Sequence, residues 1–512
     1  MLTLGEMKAF VRAAGKLLAS ERDLSAFEIY CAGAGHRVAR INYTSDIPSR
    51  GVEEFKALNA DGFALRIVTR RDPHETGYAA CAGDLSLEAV RDALVRARRA
   101  AIIDPHFPGL PQRAENSARS GSDGVASDLT RASDGALAAA AWKIVGGAIE
   151  AFAARAPLKP SHPGLIVGGD LSIVHDRVAI GSSNFAELQT DEGAHFVSSV
   201  TTLVEALDAK GTATAVGASR AKMRQAANRL GREAIMRALA LRHGERPPAG
   251  TYRVVFGPQP VAELLNYMVI PSLTTGAFQA ASSAYQGRFG AQVMDTRLSL
   301  FDDPRAKSGP VRRRITCEGL PARRSELVHD GRVVGLLSNY YDTHRLLTDE
   351  HREKKLGASA AGLDLDFPPH SAYRLGEGPA RRFDAHPGVT GTNVIMRTGE
   401  GVDEKRLIAS VGDGIYIGRV WYTYPINGQR AGDFTCTISG DSYVIRGGRL
   451  AAPLAPNSLR VNANIAQVFA QPIAVGKRSE PAVVWGAPEA YFVPAIAAGE
   501  IPLAAVVGAG LD

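Results

Sequence analysis

The sequence predicts an α+β fold with two domains, an N-terminal domain of α/β layers and a C-terminal domain that is largely antiparallel sheet around one main helix. With 512 residues, 45% of them apolar, the chain can bury two substantial cores. Helical and strand patterns alternate in the first half, whereas strand patterns dominate the second. The segment Arg-Pro-Pro-Ala-Gly at 246–250 cannot continue a helix. We therefore expect domains at 1–245 and 251–512.

The first half begins with apolar residues at helical spacing over 4–18, with charged residues between them. This pattern predicts an amphipathic core helix and not the continuous apolar run of a signal peptide. A segment rich in Ser, Gly, Asp and Ala without apolar periodicity predicts an exposed loop or a disordered insertion at 116–134. The other predicted elements of this half are strands at 26–31 and 63–68 and helices at 86–101 and 220–242.

The second half opens with a strand, a turn and a helix in close succession. Residues 252–256 predict a short strand, Gly-Pro-Gln-Pro at 257–260 predicts a turn, and the main helix is expected from Val261 onward. Beyond it, strand patterns predict a mostly antiparallel sheet, with strands at 333–340, 393–397, 414–424 and 441–446.

Composition excludes several classes of protein. The formal net charge of +6 is mild for this length, and the arginines at 312–314 and along 220–232 lack interleaved aromatic residues, so we expect solvated or ion-paired arginines and no nucleic-acid partner. The sequence has no run of about 20 uninterrupted apolar residues, so we expect no membrane span. The cysteines have no CxxC spacing, which predicts reduced thiols in a cytoplasmic protein; they are Cys31, Cys81, Cys317 and Cys436.

The strand and helix at 252–271 stand at the start of an ordered series of short motifs. Leu264 and Leu265 open the octet Leu-Leu-Asn-Tyr-Met-Val-Ile-Pro. Further segments follow in order: Arg-Leu-Ser-Leu-Phe-Asp-Asp-Pro at 297–304, Cys-Glu-Gly-Leu-Pro at 317–321, the glycine-containing segment at 328–337, Thr-Asn-Val-Ile-Met-Arg-Thr-Gly-Glu at 392–400, and Gly-Asp-Phe at 432–434 with Ser-Gly at 439–440. In this register most of the chain resembles the TldD/PmbA family, also called TldD/TldE.

The resemblance has one departure, at the metal site. The zinc-bearing members carry His-Glu-x-x-x-His after the two leucines, and these positions are Asn266, Tyr267 and Pro271 here. Zinc needs about three protein ligands, and usually a carboxylate that takes the proton of the bound water. Asparagine is a poor ligand, tyrosine is no general base at neutral pH, and proline has no donor atom. The family's C-terminal cysteine ligand also has no counterpart, because the last cysteine is Cys436.

The resemblance therefore implies a PmbA/TldE-type pseudoenzyme subunit with no catalytic residue and no metal of its own. It would form a heterodimer with a TldD-type zinc peptidase chain and help to enclose a chamber for unfolded peptides or peptide-like substrates. Some members mature peptide antibiotics, so a dedicated biosynthetic step and general proteolysis both remain open. The alternative is a stand-alone, metal-independent amide hydrolase, or a binding protein, in the maturation of a peptide metabolite.

One aromatic segment is the candidate contact with a peptide or with the partner. Aromatic and polar residues alternate before an Asn-Gly turn, which predicts a strand edge to which an extended peptide can add. The alternative is an ordinary hairpin whose aromatic residues pack on a core face. The candidate contact residues are Trp421, Tyr422, Tyr424, Asn427 and Arg430.

Overall fold

The computed structural model describes residues 1–47, 49–53, 55–112, 128–155, 164–376 and 378–506. It confirms the predicted α+β fold, with helices layered on one sheet in the first half and mostly antiparallel sheets in the second. The loop predicted at 116–134 lies outside the described residues as far as 127. From there, Asp128–Arg131 forms a 3-10 turn and Asp134 begins a helix.

The N-terminal half is built on a seven-stranded antiparallel sheet in the order β4-β3-β2-β1-β5-β6-β7. Its central strand pairs along its length with both neighbours, so that Tyr30 lies opposite Ala64 on one side and Ile180 on the other. The strands are β1 (Leu24–Thr44), β2 (Lys56–Thr69), β3 (Glu75–Ala82), β4 (Ile102–Ile103), β5 (Leu165–Ser182), β6 (Gln189–Val204) and β7 (Ala209–Gly217).

Four helices cover one face of this sheet: α1 (Leu4–Ala19), α2 (Leu87–Arg99), α3 (Asp134–Arg155) and α4 (Arg220–Ala240). The first helix begins where predicted because the Thr3 side chain accepts a hydrogen bond from the Glu6 amide and Glu6 binds back to Thr3. Because side chains alternate across a strand, the other face of the sheet presents residues such as Tyr30 and Val178, and these pack against Ile315 of the second half. The two halves therefore share buried apolar surface.

Among the described helices, Asp134–Arg155 is long and apolar enough to cross a membrane by length and composition alone. The sequence patterns did not predict this helix. In the fold its apolar residues contribute to the N-terminal core beside α4, including Ile144, Val145 and Ala148, each no more than 1% exposed. Burial of this kind is expected for a core helix.

The C-terminal half contains a nine-stranded sheet and a six-stranded sheet. The larger has the order β16-β17-β20-β24-β8-β15-β18-β19 with β21 paired to β24, and the smaller has the order β11-β10-β9-β14-β23-β22. Parallel pairing occurs between β8 and β15 and between β14 and β23. The strands are β8 (Gly250–Phe256), β9 (Leu298–Asp302), β10 (Ser325–His329), β11 (Arg332–Val333), β12 (Ala372–Tyr373), β13 (Gly388–Val389), β14 (Asn393–Thr398), β15 (Gly414–Ile417), β16 (Arg419–Pro425), β17 (Asp433–Gly440), β18 (Tyr443–Arg446), β19 (Arg449–Pro453), β20 (Leu459–Asn464), β21 (Ala474–Val475), β22 (Glu480–Ala482), β23 (Ala490–Val493) and β24 (Ile496–Ala505).

One helical rod, residues 258–272, lies among these strands and is called the site helix below. It consists of α5 (Pro258–Leu264), a π-helical segment (Leu265–Val269) and α6 (Ile270–Ser272). Its apolar residues, among them Val261, Leu265 and Val269, join the largest core cluster of the protein. The remaining helices are α7 (Thr275–Gln279), α8 (Tyr340–Leu347), α9 (Arg352–Leu356), α10 (Glu404–Ala409) and α11 (Ile465–Phe469).

Three local predictions in the second half were wrong. The strand expected at 414–424 is interrupted at Gly418 and forms β15 and β16, which lie apart in the sheet. The turn expected at 257–260 is the first turn of the site helix, since proline at Pro258 fits a helix start, where amide groups have no helical partner. The strand expected at 333–340 ends at Val333. Asn339 instead caps α8 by accepting a hydrogen bond from the Asp342 amide.

The domain boundary proposed at 246–250 falls in the connection between α4 and β8. This connection is fixed to the second half, because the Glu245 amide donates to the Pro453 carbonyl at 2.8 Å.

Candidate functional site

The site helix widens into a π-helical turn just before Pro271. Proline has no amide hydrogen and its ring interferes with the preceding turn, and π segments of this kind are frequent at functional sites. The carbonyl of Met268 accepts from the Ser272 hydroxyl at 2.7 Å and from the Gln429 side chain at 2.6 Å. These side-chain donors tie the irregular turn to its surroundings.

Asn266 lies on the π-helical turn and is half-buried. Its amide oxygen accepts a 2.8 Å hydrogen bond from the hydroxyl of Tyr491 on β23. The side-chain oxygen of Asn266, which is the atom that would have to bind a metal, therefore already accepts a hydrogen bond from a buried tyrosine. Pro271, one turn later, is exposed and offers no ligand atom.

Tyr267 is 36% exposed and follows Asn266 on the π-helical turn. Burial of the phenol, with the nearby carboxyls of Glu263 and Glu489, raises its pKa above the ordinary value of 10. The side chain therefore stays protonated at neutral pH and cannot serve as a general base.

These residues do not fit a zinc ion. Within the part of the chain that the structure describes, no group of three or more His, Cys, Asp and Glu side chains is arranged to hold a metal. Cys436 is buried on β17, where desolvation raises the pKa of its thiol. A thiol of this kind favours neither metal binding nor nucleophilic attack.

Buried acids lie behind Asn266, and the sequence patterns did not single them out as a group. Asp302 is 1% exposed and accepts from the amide and hydroxyl of Thr392 at 2.6 and 3.0 Å, while burial raises its pKa to about 7. Glu489 binds the Thr390 hydroxyl, and burial raises its pKa as well. Both carboxyl groups also raise the pKa of the Tyr491 phenol, which is hydrogen-bonded to Asn266.

Glu263 lies one turn before Tyr267 on the site helix and borders a cavity of about 180 Å³, called the cationic cavity below. The side chain of Gln259 donates to Glu263 at 2.9 Å, and burial raises the Glu263 pKa to about 7. The residues lining the cavity are Ser199, Thr201, Lys210, Thr212, Gln259, Glu263, Arg419, Val420, Trp421, Ser439, Val483 and Trp485.

A second cavity of about 390 Å³, called the apolar cavity below, adjoins the first. It lies between the open face of the N-terminal sheet and the segment 483–487. Apolar side chains dominate its lining, including Val174, Val197 and Val484, although His36, Arg40, Lys56 and Asp170 also border it. Ser199, Val483 and Trp485 line both cavities.

The candidate contact residues lie at the edge of the nine-stranded sheet, on β16 and the turn after it. Tyr422 has a φ of 52°, and the pairing of β16 with β17 shifts between Trp421 and Tyr424. This bulge leaves Trp421, Tyr422 and Tyr424 with 40%, 69% and 44% exposure, so they do not pack on a core face as the alternative required. Asn427 and Arg430 are exposed in the turn.

The same turn contacts the site helix. Gln429, between Asn427 and Arg430, donates to the Ser272 hydroxyl at 3.0 Å in addition to the Met268 carbonyl. The structure thus connects the two groups of residues that the sequence singled out separately. It does not bring Trp421 or Tyr422 into direct hydrogen bonding with Asn266, Tyr267 or Pro271 among the described contacts.

The two halves are joined by a buried ion-pair cluster that sequence patterns could not reveal. Arg381 is 1% exposed and binds Asp176 and Asp191, each at 2.7 Å, from strands of the N-terminal sheet. Arg313 adds a 3.0 Å contact to Asp176. The predicted ion pairing of the 312–314 arginines is therefore correct for Arg313 and for Arg314, which contacts Asp191 at 3.0 Å, although Arg313 lies in the interior.

Residues 249–503 match the family model of the PmbA/TldA metallopeptidase C-terminal domain. The chain belongs to the TldD/PmbA family. The fold is similar to that of TldE from Thermococcus kodakarensis, with a TM-score of 0.74 and 14% identity over 97% of this chain and 99% of that one. A protein of Bacteroides thetaiotaomicron gives a TM-score of 0.70 and 15% identity over 99% of this chain and 100% of that one.

A sequence relative is the uncharacterized protein MJ0231 of Methanocaldococcus jannaschii. It is 23% identical over 238 residues, which are 45% of this chain and 49% of that protein. The chain thus spans about half the length of this relative.

Proposed function

We propose that this TldD/PmbA-family chain is the metal-free, non-catalytic subunit of a heterodimeric zinc peptidase of the TldD/TldE type. A TldD-type chain supplies the zinc, and this chain supplies part of the wall of a chamber that admits unfolded peptides or small peptide-like molecules. Four free cysteines without a disulfide support a cytoplasmic location.

The observation that carries the proposal is the site helix. In the register of the family resemblance, the metal ligands of the zinc-bearing members fall on this helix. Here these positions are Asn266, which is hydrogen-bonded to Tyr491, the protonated phenol of Tyr267, and Pro271. The site helix is continuous over 258–272 and its apolar residues are buried in the core. A buried helix without good zinc ligands favours a structural role in a shared site over independent metal chemistry.

The exposed edge of β16 supports a role in peptide handling. An edge strand offers unpaired backbone groups to which an extended peptide or a partner's strand can add. Trp421 and Tyr424 present large exposed aromatic surfaces beside that edge, and aromatic residues are enriched where interfaces form. Holding a peptide in one orientation lowers the barrier for the chemistry that the partner performs.

The test is reconstitution of peptide hydrolysis. This chain, purified alone, and the TldD-type chain encoded in the same genome, purified alone, are compared with the co-expressed pair on an unfolded peptide. We expect hydrolysis by the pair that is lost on treatment with a zinc chelator, and none by this chain. Hydrolysis by this chain alone, or failure of the two chains to associate, contradicts the proposal.

One observation favours the alternative of a metal-independent amide hydrolase. Ser439 and Lys210 line the same cavity as Glu263, whose pKa of about 7 suits a general base. If this chain is such an enzyme, its hydrolysis persists in the presence of chelator and disappears in Glu263→Gln. If it is the metal-free subunit, neither the wild-type chain nor Glu263→Gln hydrolyses the peptide in the presence of chelator.

A further inference from the structure

The cationic cavity contains positive charge that the protein does not fully balance. Lys210 is half-buried, and its ammonium group lies over the face of Trp421, 5.1 Å from the ring centre. Arg419 also lines the cavity. Burial, with the positive charge of Arg419, lowers the pKa of Lys210 below its ordinary value.

Two carboxyl groups act on these cations: Glu263 lines the cavity, where burial raises its pKa to about 7, and Asp441 is already shared. Asp441 contacts Arg419 at 3.4 Å and Arg237 at 3.5 Å, so that one negative charge faces two guanidinium groups before Lys210 is considered. Partly desolvated cations without a matching anion are costly, and an anion entering the cavity would stabilise both. The cavity therefore has the charge of a binding site for an anionic group.

The hydroxyl groups of its lining also suit a small carboxylate. Hydroxyl groups of Ser199, Thr201 and Thr212 border the cavity, with Thr201 and Thr212 hydrogen-bonded to one another at 2.8 Å. Hydroxyls can donate to a carboxylate without adding charge. Trp421 and Trp485 provide apolar walls.

The adjoining apolar cavity indicates which class of carboxylate ligand fits. Ser199, Val483 and Trp485 are common to both cavities, so the two cavities lie side by side. Mostly apolar pockets with a few convergent polar groups are typical of ligand sites. The pair therefore matches a molecule that has an anionic end next to an apolar group.

We propose that the two cavities bind the C-terminal end of a peptide, with its carboxylate in the cationic cavity and its last apolar side chain in the apolar cavity. This inference rests on the proposed function, in that it takes a peptide as the substrate of the assembled enzyme. It adds a preference that the function does not require, for substrates with a free and apolar C-terminus.

The test compares two peptides that differ only at the terminal group. Binding of Ala-Ala-Ala-Ala-Leu with a free carboxylate and of the same peptide with a C-terminal amide is measured by calorimetry on the full-length chain. We expect the acid to bind about tenfold more tightly or better, because a buried charge-assisted contact is lost in the amide. Equal affinity, or failure of both peptides to bind at millimolar concentration, overturns the proposal.

Three lysine variants assign the preference to the cationic cavity. Lys210→Met should reduce the affinity for the acid to that for the amide and leave the amide unchanged, whereas Lys210→Arg retains the preference. Lys222→Met is the matched control, since Lys222 is exposed on α4 and lines neither cavity. Loss of the preference in Lys222→Met but not in Lys210→Met contradicts the assignment.

Failure of this inference is distinguishable from failure of the proposed function. If the acid and the amide bind equally while the two chains form a zinc-dependent peptidase, the subunit role stands and the carboxylate site does not. If this chain does not associate with a TldD-type chain, a preference for the acid would still establish the carboxylate site.

Discussion

The hydroxyl of Tyr491 donates a 2.8 Å hydrogen bond to the side-chain oxygen of Asn266, joining β23 to the π-helical turn of the site helix. Tyr491 is fully buried, and burial raises the pKa of its phenol well above 10. The interaction is therefore a neutral hydrogen bond in the interior. It gives Asn266 a structural role in the fold.

Replacing Asn266 by Ala should affect stability more than activity. The substitution leaves the buried Tyr491 hydroxyl without its partner, which should cost about 1–3 kcal/mol in the free energy of unfolding measured with urea. The double variant Asn266→Ala/Tyr491→Phe removes both polar groups and should recover part of that loss. The rate of peptide hydrolysis by the assembled pair should stay within about fivefold of wild type. Such a change corresponds to a loss of less than tenfold in transition-state binding. A thousandfold loss would show that Asn266 takes part in catalysis.

Breaking the ion-pair cluster between the two halves should be much more destabilising than breaking a surface pair. Arg381→Met leaves Asp176 and Asp191 buried with fewer partners, and we expect a loss of about 3–5 kcal/mol in the free energy of unfolding. The control is Arg229→Met, which removes an exposed contact to Glu233 and should cost about 0.5 kcal/mol or less. Equal effects of the two substitutions would contradict the assigned role of the cluster.

The same cluster should contribute to acid sensitivity. Although burial opposes ionisation, the guanidinium groups of Arg381 and Arg313 hold the pKa of Asp176 well below its ordinary value of 3.8. A lowered pKa gives stability that is present above the unfolded-state pKa and is lost as the pH falls through the folded-state pKa. Asp176→Asn should therefore flatten the pH dependence of stability below about pH 4, as followed by thermal unfolding. A profile as steep as that of wild type would place the acid-sensitive group elsewhere.

Stability near neutral pH should fall as the pH rises. Burial raises the pKa of Glu318 to about 8, and its carboxyl accepts from the Tyr340 amide at 3.1 Å. Folding thus retains a proton that the unfolded chain releases above pH 4.5, so the contribution of Glu318 decreases between pH 4.5 and about 8. One proton retained corresponds to about 1.4 kcal/mol per pH unit.

The variant Glu318→Gln isolates this effect. Urea unfolding at pH 6.5 and 7.5 should show a smaller decrease in stability for the variant than for wild type, since glutamine does not titrate. Glu150→Gln is the control, because Glu150 is exposed on α3 and its substitution should leave the decrease unchanged. A slope that is the same in wild type and in Glu318→Gln would rule out Glu318 as its source.

The β16 edge should be required for association with the partner or for binding an extended peptide. A lysine on an edge strand opposes strand addition, and Tyr424→Lys should weaken association with the TldD-type chain or with peptide by about tenfold or more. Leu450→Lys is a matched control, since Leu450 is similarly exposed on β19 at the opposite edge of the same sheet. Similar losses in both variants, measured by calorimetry, would argue against a specific role for β16.

The sequence predicted those parts of the fold that depend on local patterns. Periodicity placed α1 and α4 within a few residues of their observed ends, and strand patterns located β8 and β14. It failed where one side chain decides the outcome, as at Asn339, whose capping hydrogen bond starts α8 inside a predicted strand. It also misread Pro258, because the same residue type that ends helices is favoured at their first position.

The candidate site was predictable only in part for the same reason. The poor fit of Asn266, Tyr267 and Pro271 to a zinc ion follows directly from their residue types. The pKa of about 7 at Glu263 and Asp302 depends on burial that is created by segments far apart in the chain. The contact of Arg381 with Asp176 spans 205 positions and has no local sequence signal.

The most direct test of the account is the zinc content of the purified chain, alone and after co-expression with the TldD-type chain of the same genome, by elemental analysis. The account predicts no stoichiometric zinc in this chain alone and about one zinc ion per heterodimer. Stoichiometric zinc in this chain by itself would contradict the central claim, because it would require a metal site that does not depend on the partner.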